Sequence, residues 1–160
     1  MSEIKVKPCK DAAVVIVHAK SNNSIVMVKS RKGGIGLPGG GIETKDNVGD
    51  GSNLVHNAYM AAIRELHEET GLDIRELKYI STEHVSYNTT DYTTHEPITI
   101  NKNVYGFYVS IDAPIHPLSY NINENKASWI SLEEFQNMDV YHAVNNVFIE
   151  KAINQGLMVL

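Results

Sequence analysis

Three glutamates stand close together in one segment with helical spacing. Glu65 lies three and four positions before Glu68 and Glu69, which places the three side chains on one face of a helix. Like charges at this spacing repel, and the helix dipole disfavours anions near a C-terminus. A hard divalent cation such as Mg²⁺ or Mn²⁺ removes both penalties and can activate water for attack on a phosphate. The pattern therefore indicates a metal site; the alternative is a solvated acidic face partly neutralised by Arg64.

A glycine-rich segment precedes this helix. Residues 33–41 read GGIGLPGGG, which is too rich in glycine for a helix or a central strand and predicts an ordered loop. Glycines that follow Pro38 allow a backbone carbonyl to face a metal, or a backbone N–H to face a phosphate. The segment matches neither the dinucleotide-binding fingerprint nor the P-loop, which both require a different glycine spacing.

Loop and helix together resemble the Nudix hydrolase family. The box of that family runs Gly, five residues, Glu, seven residues, Arg-Glu, an aliphatic, any residue, Glu-Glu, any residue, Gly, an aliphatic. Residues 64–72 (RELHEETGL) are similar to its second half at every fixed position, and residues 37–43 (LPGGGIE) resemble its opening. Residues 129–135 (WISLEEF) also resemble the strand-to-helix segment after the family's last strand. The resemblance implies one domain over residues 1–160 with an α/β (α+β) fold, a sandwich of a mixed β-sheet between helices.

The chain departs from the box in one spacing. Gly40 and Arg64 are 24 positions apart, whereas the box places these two residues 14 positions apart, so about ten residues are inserted. Residues 44–52 are polar and lack periodicity, which predicts a mobile insertion. Counting back from Arg64 reaches His56 where the family has its first glutamate. Three acidic residues are alternatives for that carboxylate: Glu43, Asp46 and Asp50.

The resemblance implies roles for the residues of the helix and the loop. By that resemblance Glu65, Glu68 and Glu69 bind the metal, and Glu65 is the preferred group to deprotonate water. Arg64 resembles the arginine that orients the cluster. The carbonyl of Gly39 resembles a backbone metal ligand. These residues form the core of the expected site.

Four further residues are candidates around this core. A fourth metal-binding carboxylate often lies downstream in the family, and Glu124 is the candidate, with a surface loop acid as the alternative reading. Arg31, just before the glycine segment, is a candidate for binding substrate phosphates, as is the backbone of Gly40. Tyr87 resembles a tyrosine found downstream of the box in dinucleoside polyphosphate hydrolases.

The elements that position these residues follow from the hydrophobic pattern. Residues 12–19 and 24–30 are apolar runs separated by Ser and Asn, which predicts a hairpin before the glycine segment. Residues 53–70 show helical spacing, with Asn53 as the cap and Gly71 as the stop. The remaining predictions are strands at 77–85 and 98–111 around a polar binding loop at 86–95, a strand at 127–130, a capping box from Ser131 to Glu134 that opens a helix, and an amphipathic helix at 140–154.

Composition narrows the class of protein. The 160-residue chain has a formal net charge of −5 and one cysteine, Cys9. The acidic average argues against a stable nucleic-acid partner, and a lone cysteine cannot form an internal disulfide. No segment approaches the roughly 18 apolar residues of a membrane span. We therefore expect a cytoplasmic protein without a membrane partner, either a monomer or a homodimer.

The resemblance also implies an activity. It implies metal-dependent hydrolysis, with Mg²⁺ or Mn²⁺, of a phosphoanhydride bond in a nucleoside diphosphate linked to another moiety. The partner would be a small-molecule nucleotide: a nucleoside triphosphate, a dinucleoside polyphosphate or a nucleotide sugar. The alternative is a catalytically weak nucleotide-binding sensor or adaptor domain, motivated by the insertion and by His56.

Overall fold

The computed structural model describes residues 4–30, 34–115, 118, 125–138 and 144–159. No helix in these ranges is long and apolar enough to cross a membrane. In chain order the strands are β1 (Lys5–Pro8), β2 (Ala12–Ala19), β3 (Ser24–Ser30), β4 (Ile35–Gly36), β5 (Gly39–Gly41), β6 (Lys78–Thr90), β7 (Pro97–Ile111) and β8 (Asn125–Ser131). The helices are α1 (Leu54–Thr70), α2 (Leu132–Gln136) and α3 (Val144–Asn154), with a 3-10 turn at Thr44–Asp46.

Strand β2 is the centre of a mixed sheet that, in the described ranges, has eight strands. It pairs in parallel with β7 along its whole length, from Ala12↔Val104 to Ala19↔Ile111, and antiparallel with β3 at its end. The glycine strand β5 also pairs with β2, with Gly39 opposite Val14. This pairing fixes the glycine segment against the middle of the sheet.

Helices cover both faces of this sheet, so the expected sandwich is confirmed. Alternate residues of β2 point to opposite faces, as the period of a strand requires. One face packs against the small residues of α1, and the other against the aromatic and aliphatic residues of α3. On the first face the buried residues include Val15, Val17, Ala58, Ala61, Ala62 and Leu66, and on the second Ile16, Phe148, Ile149 and Ala152. The position of α1 over the sheet is therefore fixed by close packing.

The predicted hairpin and the predicted central helix are confirmed. Helix α1 begins after Asn53, whose side chain accepts a hydrogen bond from the N–H of His56, and it ends at Gly71 with φ of 77°. A left-handed residue at this position is the usual glycine stop. Ser131 caps α2 by accepting from the N–H of Glu134 at 3.0 Å. The last helix is observed from Val144, and the earlier residues of its predicted range lie outside the described ones.

The predicted binding loop at 86–95 is wrong for its first half. Strand β6 continues to Thr90 and pairs with β7 through Ser86↔Asn101 and Thr90↔Pro97. These residues lack an apolar alternation because this end of the hairpin is largely exposed. Backbone hydrogen bonds to β7 hold the strand, and β1 supports the other edge of β7. Tyr87 consequently lies on a strand.

Candidate active site

One guanidinium lies at the centre of a carboxylate cluster. The Nε and Nη2 atoms of Arg64 donate to the two carboxylate oxygens of Asp46, both at 2.9 Å. Nη1 donates to Oε1 of Glu65 at 3.0 Å and lies 3.3 Å from Oε2 of Glu68. Nη2 also donates to the carbonyl of Gly41 at 3.1 Å. Arg64 thus ties α1 to the inserted segment and to the end of β5.

Of the three acidic residues that the sequence offered for the first glutamate of the box, Asp46 is the one that pairs with Arg64. Its side chain is only 4% exposed, and it accepts a further hydrogen bond from the N–H of Glu43 at 2.8 Å. Asp46 follows Gly40 by six positions, which is the box spacing from the glycine to the first glutamate. The insertion therefore lies between Asp46 and Arg64. For this reason, counting back from Arg64 by the spacing of the box reaches His56 and not Asp46.

The other two acidic alternatives have different partners. Glu43 forms an ion pair with Lys10 at 2.9 Å on the surface. Asp50 accepts a hydrogen bond from the N–H of Ser52 within the insertion. Glu43 and Asp50 are thus bound to partners other than Arg64, which Asp46 binds.

Burial and pairing shift the pKa values of the cluster in opposite directions. Burial raises the pKa of Glu65 above its usual value, although the charge and hydrogen bond of Arg64 oppose this. Burial also acts to raise the pKa of Asp46, but the hydrogen bonds from Arg64 and Glu43 outweigh it, and the net pKa is lowered. The hydrogen bond to Asp46 in turn raises the pKa of Arg64. Asp46 is therefore held as an anion, whereas Glu65 is the more basic carboxylate.

Two glycines allow the strand β5 to approach the helix closely. The N–H of Gly39 donates to Oε1 of Glu69 at 2.8 Å. A Cβ atom on Gly40 would lie 2.6 Å from Cδ of Glu65, and a Cβ on Gly39 would lie 2.2 Å from the carbonyl oxygen of Ala13. Any side chain at either position would meet a neighbour, but the two neighbours differ in how easily they move.

We expect Gly40→Ala mainly to lower the rate of turnover and Gly39→Ala mainly to lower the stability of the fold. The Glu65 carboxylate ends a flexible side chain, so Gly40→Ala should fold and lower turnover about tenfold to a hundredfold by displacing that group. The carbonyl of Ala13 belongs to the sheet, so Gly39→Ala should lower the free energy of unfolding by about 3 kcal/mol. Urea denaturation with steady-state rates measures both effects. Equal losses of stability in the two variants would contradict this expectation.

The donor set is suited to a hard cation, but the side chains are arranged around other partners. Within the described ranges, no three His, Cys, Asp or Glu side chains lie close enough together to hold a metal ion. Glu65 and Glu68 share the guanidinium of Arg64, and Glu69 is bound to the N–H of Gly39. The Glu68 side chain is 51% exposed, and such an exposed contact contributes little stability. Carboxylate oxygens on one helix face fit Mg²⁺ or Mn²⁺ chemically, provided that Glu68 and Glu69 exchange their present partners.

A cavity of about 260 Å³ opens beside the cluster. Gly39, Gly40 and Glu69 line it, together with Asn145 of α3 and Lys102 of β7. The walls between them are apolar and include Val14, Val28, Ile35, Leu37, Val85, Val104 and Val144. The lining of the cavity therefore combines the glycine strand β5 and the carboxylate of Glu69 with mostly apolar side chains.

Of the remaining candidates, the structure describes Tyr87 but neither Arg31 nor Glu124. The Nζ atom of Lys102 lies 6.0 Å from the centroid of the Tyr87 ring, which puts Tyr87 near the cavity rather than among its lining residues. Arg31, its neighbour Lys32, and Glu124 lie outside the described residues.

Sequence reasoning missed Asn145, which is 4% exposed. A polar residue on the buried face of an amphipathic helix was the available signal. Its side chain comes close to Gly36, where a Cβ atom would lie 3.1 Å from the amide nitrogen Nδ2.

Comparisons with known proteins agree with this fold. A family model described as NUDIX domain matches residues 9–151, and a search of curated proteins returned no match. The chain is similar to the E. coli dihydroneopterin triphosphate pyrophosphohydrolase at 15% identity and a TM-score of 0.68, over 96% of this chain and 99% of that chain. It is similar to the NUDIX domain of Shewanella oneidensis NrtR complexed with ADP ribose at 16% identity and a TM-score of 0.63, over 97% and 90%.

A third solved structure shares the fold over part of its length. It is a bifunctional NMN adenylyltransferase/ADP ribose pyrophosphatase from Francisella tularensis complexed with AMP and a Mn ion. The identity is 20% and the TM-score 0.58, over 93% of this chain and 42% of that chain. At such identities these likenesses concern the fold. The family model spans most of the chain, and the chain therefore belongs to the Nudix family.

Proposed function

We propose that this chain is a metal-dependent pyrophosphohydrolase that cleaves a phosphoanhydride bond in a nucleoside diphosphate linked to another group. The observation that carries the proposal is the carboxylate cluster around Arg64, which lies beside a cavity lined by Gly40, the neighbour of Glu65, and by Glu69 of the same helix. Glu65, Glu68, Glu69 and the carbonyl of Gly39 would hold Mg²⁺ or Mn²⁺. When bound, the cation neutralises charge on the diphosphate and lowers the pKa of water.

Glu65 takes the proton of the attacking water in this proposal. Its carboxylate lies on the same face of α1 as Glu68 and Glu69, and the 3.0 Å contact from Arg64 keeps it oriented. A bond forms between the water oxygen and one phosphorus. The bond from that phosphorus to the bridging oxygen breaks, and the electron pair leaves with the other phosphate. The products are a nucleotide and a phosphate or pyrophosphate, or two nucleotide halves.

The apolar cavity beside the cluster would hold the nucleoside. Its valine and leucine walls suit a planar base, which buries both faces against apolar atoms. Asn145 supplies one amide with both a donor and an acceptor, and this amide lies in the lining of the cavity. An amide with this capacity can bond to the edge of a base. The half-buried Lys102 adds a cation to the lining.

We expect Asn145→Leu to weaken nucleotide binding rather than the chemical step. Loss of the hydrogen bonds to the base should raise KM about tenfold while kcat changes less than about twofold. Asn154→Leu, on the exposed end of the same helix, is the matched control and should leave KM unchanged. Steady-state kinetics on the preferred nucleotide measures this, and an unchanged KM in Asn145→Leu would exclude Asn145 from base recognition.

The activity is tested with a substrate panel in Mg²⁺ or Mn²⁺. The panel contains nucleoside triphosphates, dinucleoside polyphosphates, ADP-ribose and nucleotide sugars, and the reactions run in ¹⁸O-labelled water. Mass spectrometry of the products identifies the phosphorus that was attacked. We expect turnover of one class, and its loss in EDTA. The absence of turnover with every class would refute the proposal.

A second candidate is a domain that binds a nucleotide without hydrolysing it. It is favoured by the pairing of the carboxylates with Arg64 and Gly39, since they do not converge on one point in the described residues. Calorimetry on the same panel separates the two candidates. Tight binding of a nucleotide without product over hours in Mg²⁺ would establish the sensor.

A further inference from the structure

Asn57 is a buried polar residue on the catalytic helix whose side chain contacts the insertion. It is 4% exposed and is the fourth residue of α1. Its Oδ1 atom accepts a hydrogen bond from the N–H of Val48 at 2.8 Å, and its Nδ2 atom donates to the carbonyl of Gly51 at 2.9 Å. Both ends of the amide are therefore used on a single turn of the inserted segment.

The backbone of the turn at 48–51 supplies only one of the two hydrogen bonds that could join its end residues. The N–H of Gly51 donates to the carbonyl of Val48 at 3.0 Å, and Gly49 and Gly51 have φ of 60° and 79°, values that favour glycine. In a tight hairpin the two end residues exchange both of their backbone hydrogen bonds. Here the amide of Asn57 bridges the second pair, from the N–H of Val48 to the carbonyl of Gly51.

The same helix face contacts the insertion at a second point. Asn57 and Arg64 are seven residues apart, which is close to two helical turns and places both side chains on one face. Arg64 binds Asp46, which lies two residues before Val48. The first end of the insertion is thus held by Arg64, and the turn beyond it by Asn57.

Fixing the turn matters because the insertion lengthens the connection between Asp46 and Arg64. The box has seven residues between its first glutamate and its arginine, whereas 17 separate Asp46 from Arg64 in this chain. A longer loop has more conformations to lose when its ends meet. Two hydrogen bonds to a residue of α1 remove much of that freedom near Asp46.

We propose that Asn57 is a positioning residue of the active site. It fastens the insertion to α1 so that Asp46 stays aligned with Arg64, and through Arg64 it orients Glu65 and Glu68. The effect on turnover rests on the proposed hydrolysis and the effect on metal affinity on the proposed metal site, whereas the effect on the insertion rests on neither.

Asn57→Ala tests this role, since alanine is a good helix former and removes both hydrogen bonds. We expect kcat on the preferred substrate of the panel to fall about tenfold with KM within about twofold, because misplaced catalytic groups slow the chemical step. Mn²⁺ alone, followed by electron paramagnetic resonance, should bind several-fold more weakly. Hydrogen exchange at residues 46–51 should be faster. Asn57→Asp keeps the acceptor for Val48 and should fall in between.

A matched control separates positioning from loss of stability. Asn53→Ala removes the helix cap at the start of α1 and leaves the bonds from Asn57 to the turn intact. At a temperature where both variants are folded, Asn53→Ala should keep the wild-type kcat and Mn²⁺ affinity. Equal losses in the two variants would show that Asn57 acts only through stability.

A double-mutant cycle with Asp46 decides whether the effect passes through that residue. In the Asp46→Asn background, Asn57→Ala should lower kcat and Mn²⁺ affinity by less than about twofold, because the contact that it protects is already lost. The same tenfold loss in both backgrounds would overturn the proposal. If no substrate on the panel turns over, the proposed function fails, and hydrogen exchange at residues 46–51 still decides whether Asn57 fastens the insertion.

Discussion

Replacing Glu68 and Glu69 together by glutamine is expected to lower the metal-dependent rate by roughly 10³-fold while the protein stays folded. Charge stabilisation by a bound cation contributes several kcal/mol to the transition state, which corresponds to about three decades in rate. Glutamine keeps the Oε1 atom that accepts from the N–H of Gly39. Glu68 is half exposed, so its replacement leaves no buried group unpaired.

The same charge change elsewhere on the surface supplies the control. Glu133 and Glu134 are adjacent, exposed acids in the first turn of α2, so Glu133→Gln with Glu134→Gln also removes two negative charges. That control should keep its rate and its Mn²⁺ affinity. Circular dichroism and urea denaturation establish that both double variants are folded. Wild-type turnover in the Glu68 and Glu69 variant would refute their proposed role as metal ligands.

The local part of this site could be predicted because it lies on one helix. The cap, the stop and the apolar spacing of α1 are all encoded within residues 53–71, and they carry Arg64 and the three glutamates as one rigid unit. Periodicity likewise identified the hairpin of β2 and β3. In each case neighbours in sequence are also neighbours in space, so short-range patterns suffice.

Contacts between distant segments could not be predicted in the same way. Asp46 and Arg64 are separated by the insertion, and only the folded chain shows that Asp46 rather than Glu43 reaches the guanidinium. The outer half of β6 is polar, and its pairing with β7 supplies backbone hydrogen bonds that leave no hydrophobic pattern. Asn145 reaches the cavity because α3 packs on the sheet with this side chain close to Gly36 of β4, and such a contact depends on packing.

Asp46→Asn is expected to cost about 3 kcal/mol of unfolding free energy at pH 7 in metal-free buffer. Removing one partner of a buried ion pair leaves the other charge poorly compensated, and Asp46 is the more buried partner of Arg64. Glu65 and Glu68 remain near the guanidinium and limit the loss. An asparagine amide that faces Arg64 also replaces an acceptor by a donor. Asp50→Asn, the same change at an exposed position of the insertion, is the control and should have little effect.

The difference in unfolding free energy between wild type and Asp46→Asn should depend on pH if its origin is electrostatic. The pKa of Asp46 is lowered in the folded protein, because the hydrogen bonds from Arg64 and Glu43 outweigh burial. A carboxyl with a lowered folded-state pKa stabilises the fold above its unfolded pKa of about 3.9, and this stabilisation is lost as pH falls through the folded value. The gap between wild type and Asp46→Asn should therefore be full at pH 7, nearly full at pH 5, and smaller below about pH 4. Urea denaturation at these three pH values measures it. A gap that stays constant with pH would mean that Asp46 stabilises the protein by shape and packing, and that its charge does not hold Arg64 in place.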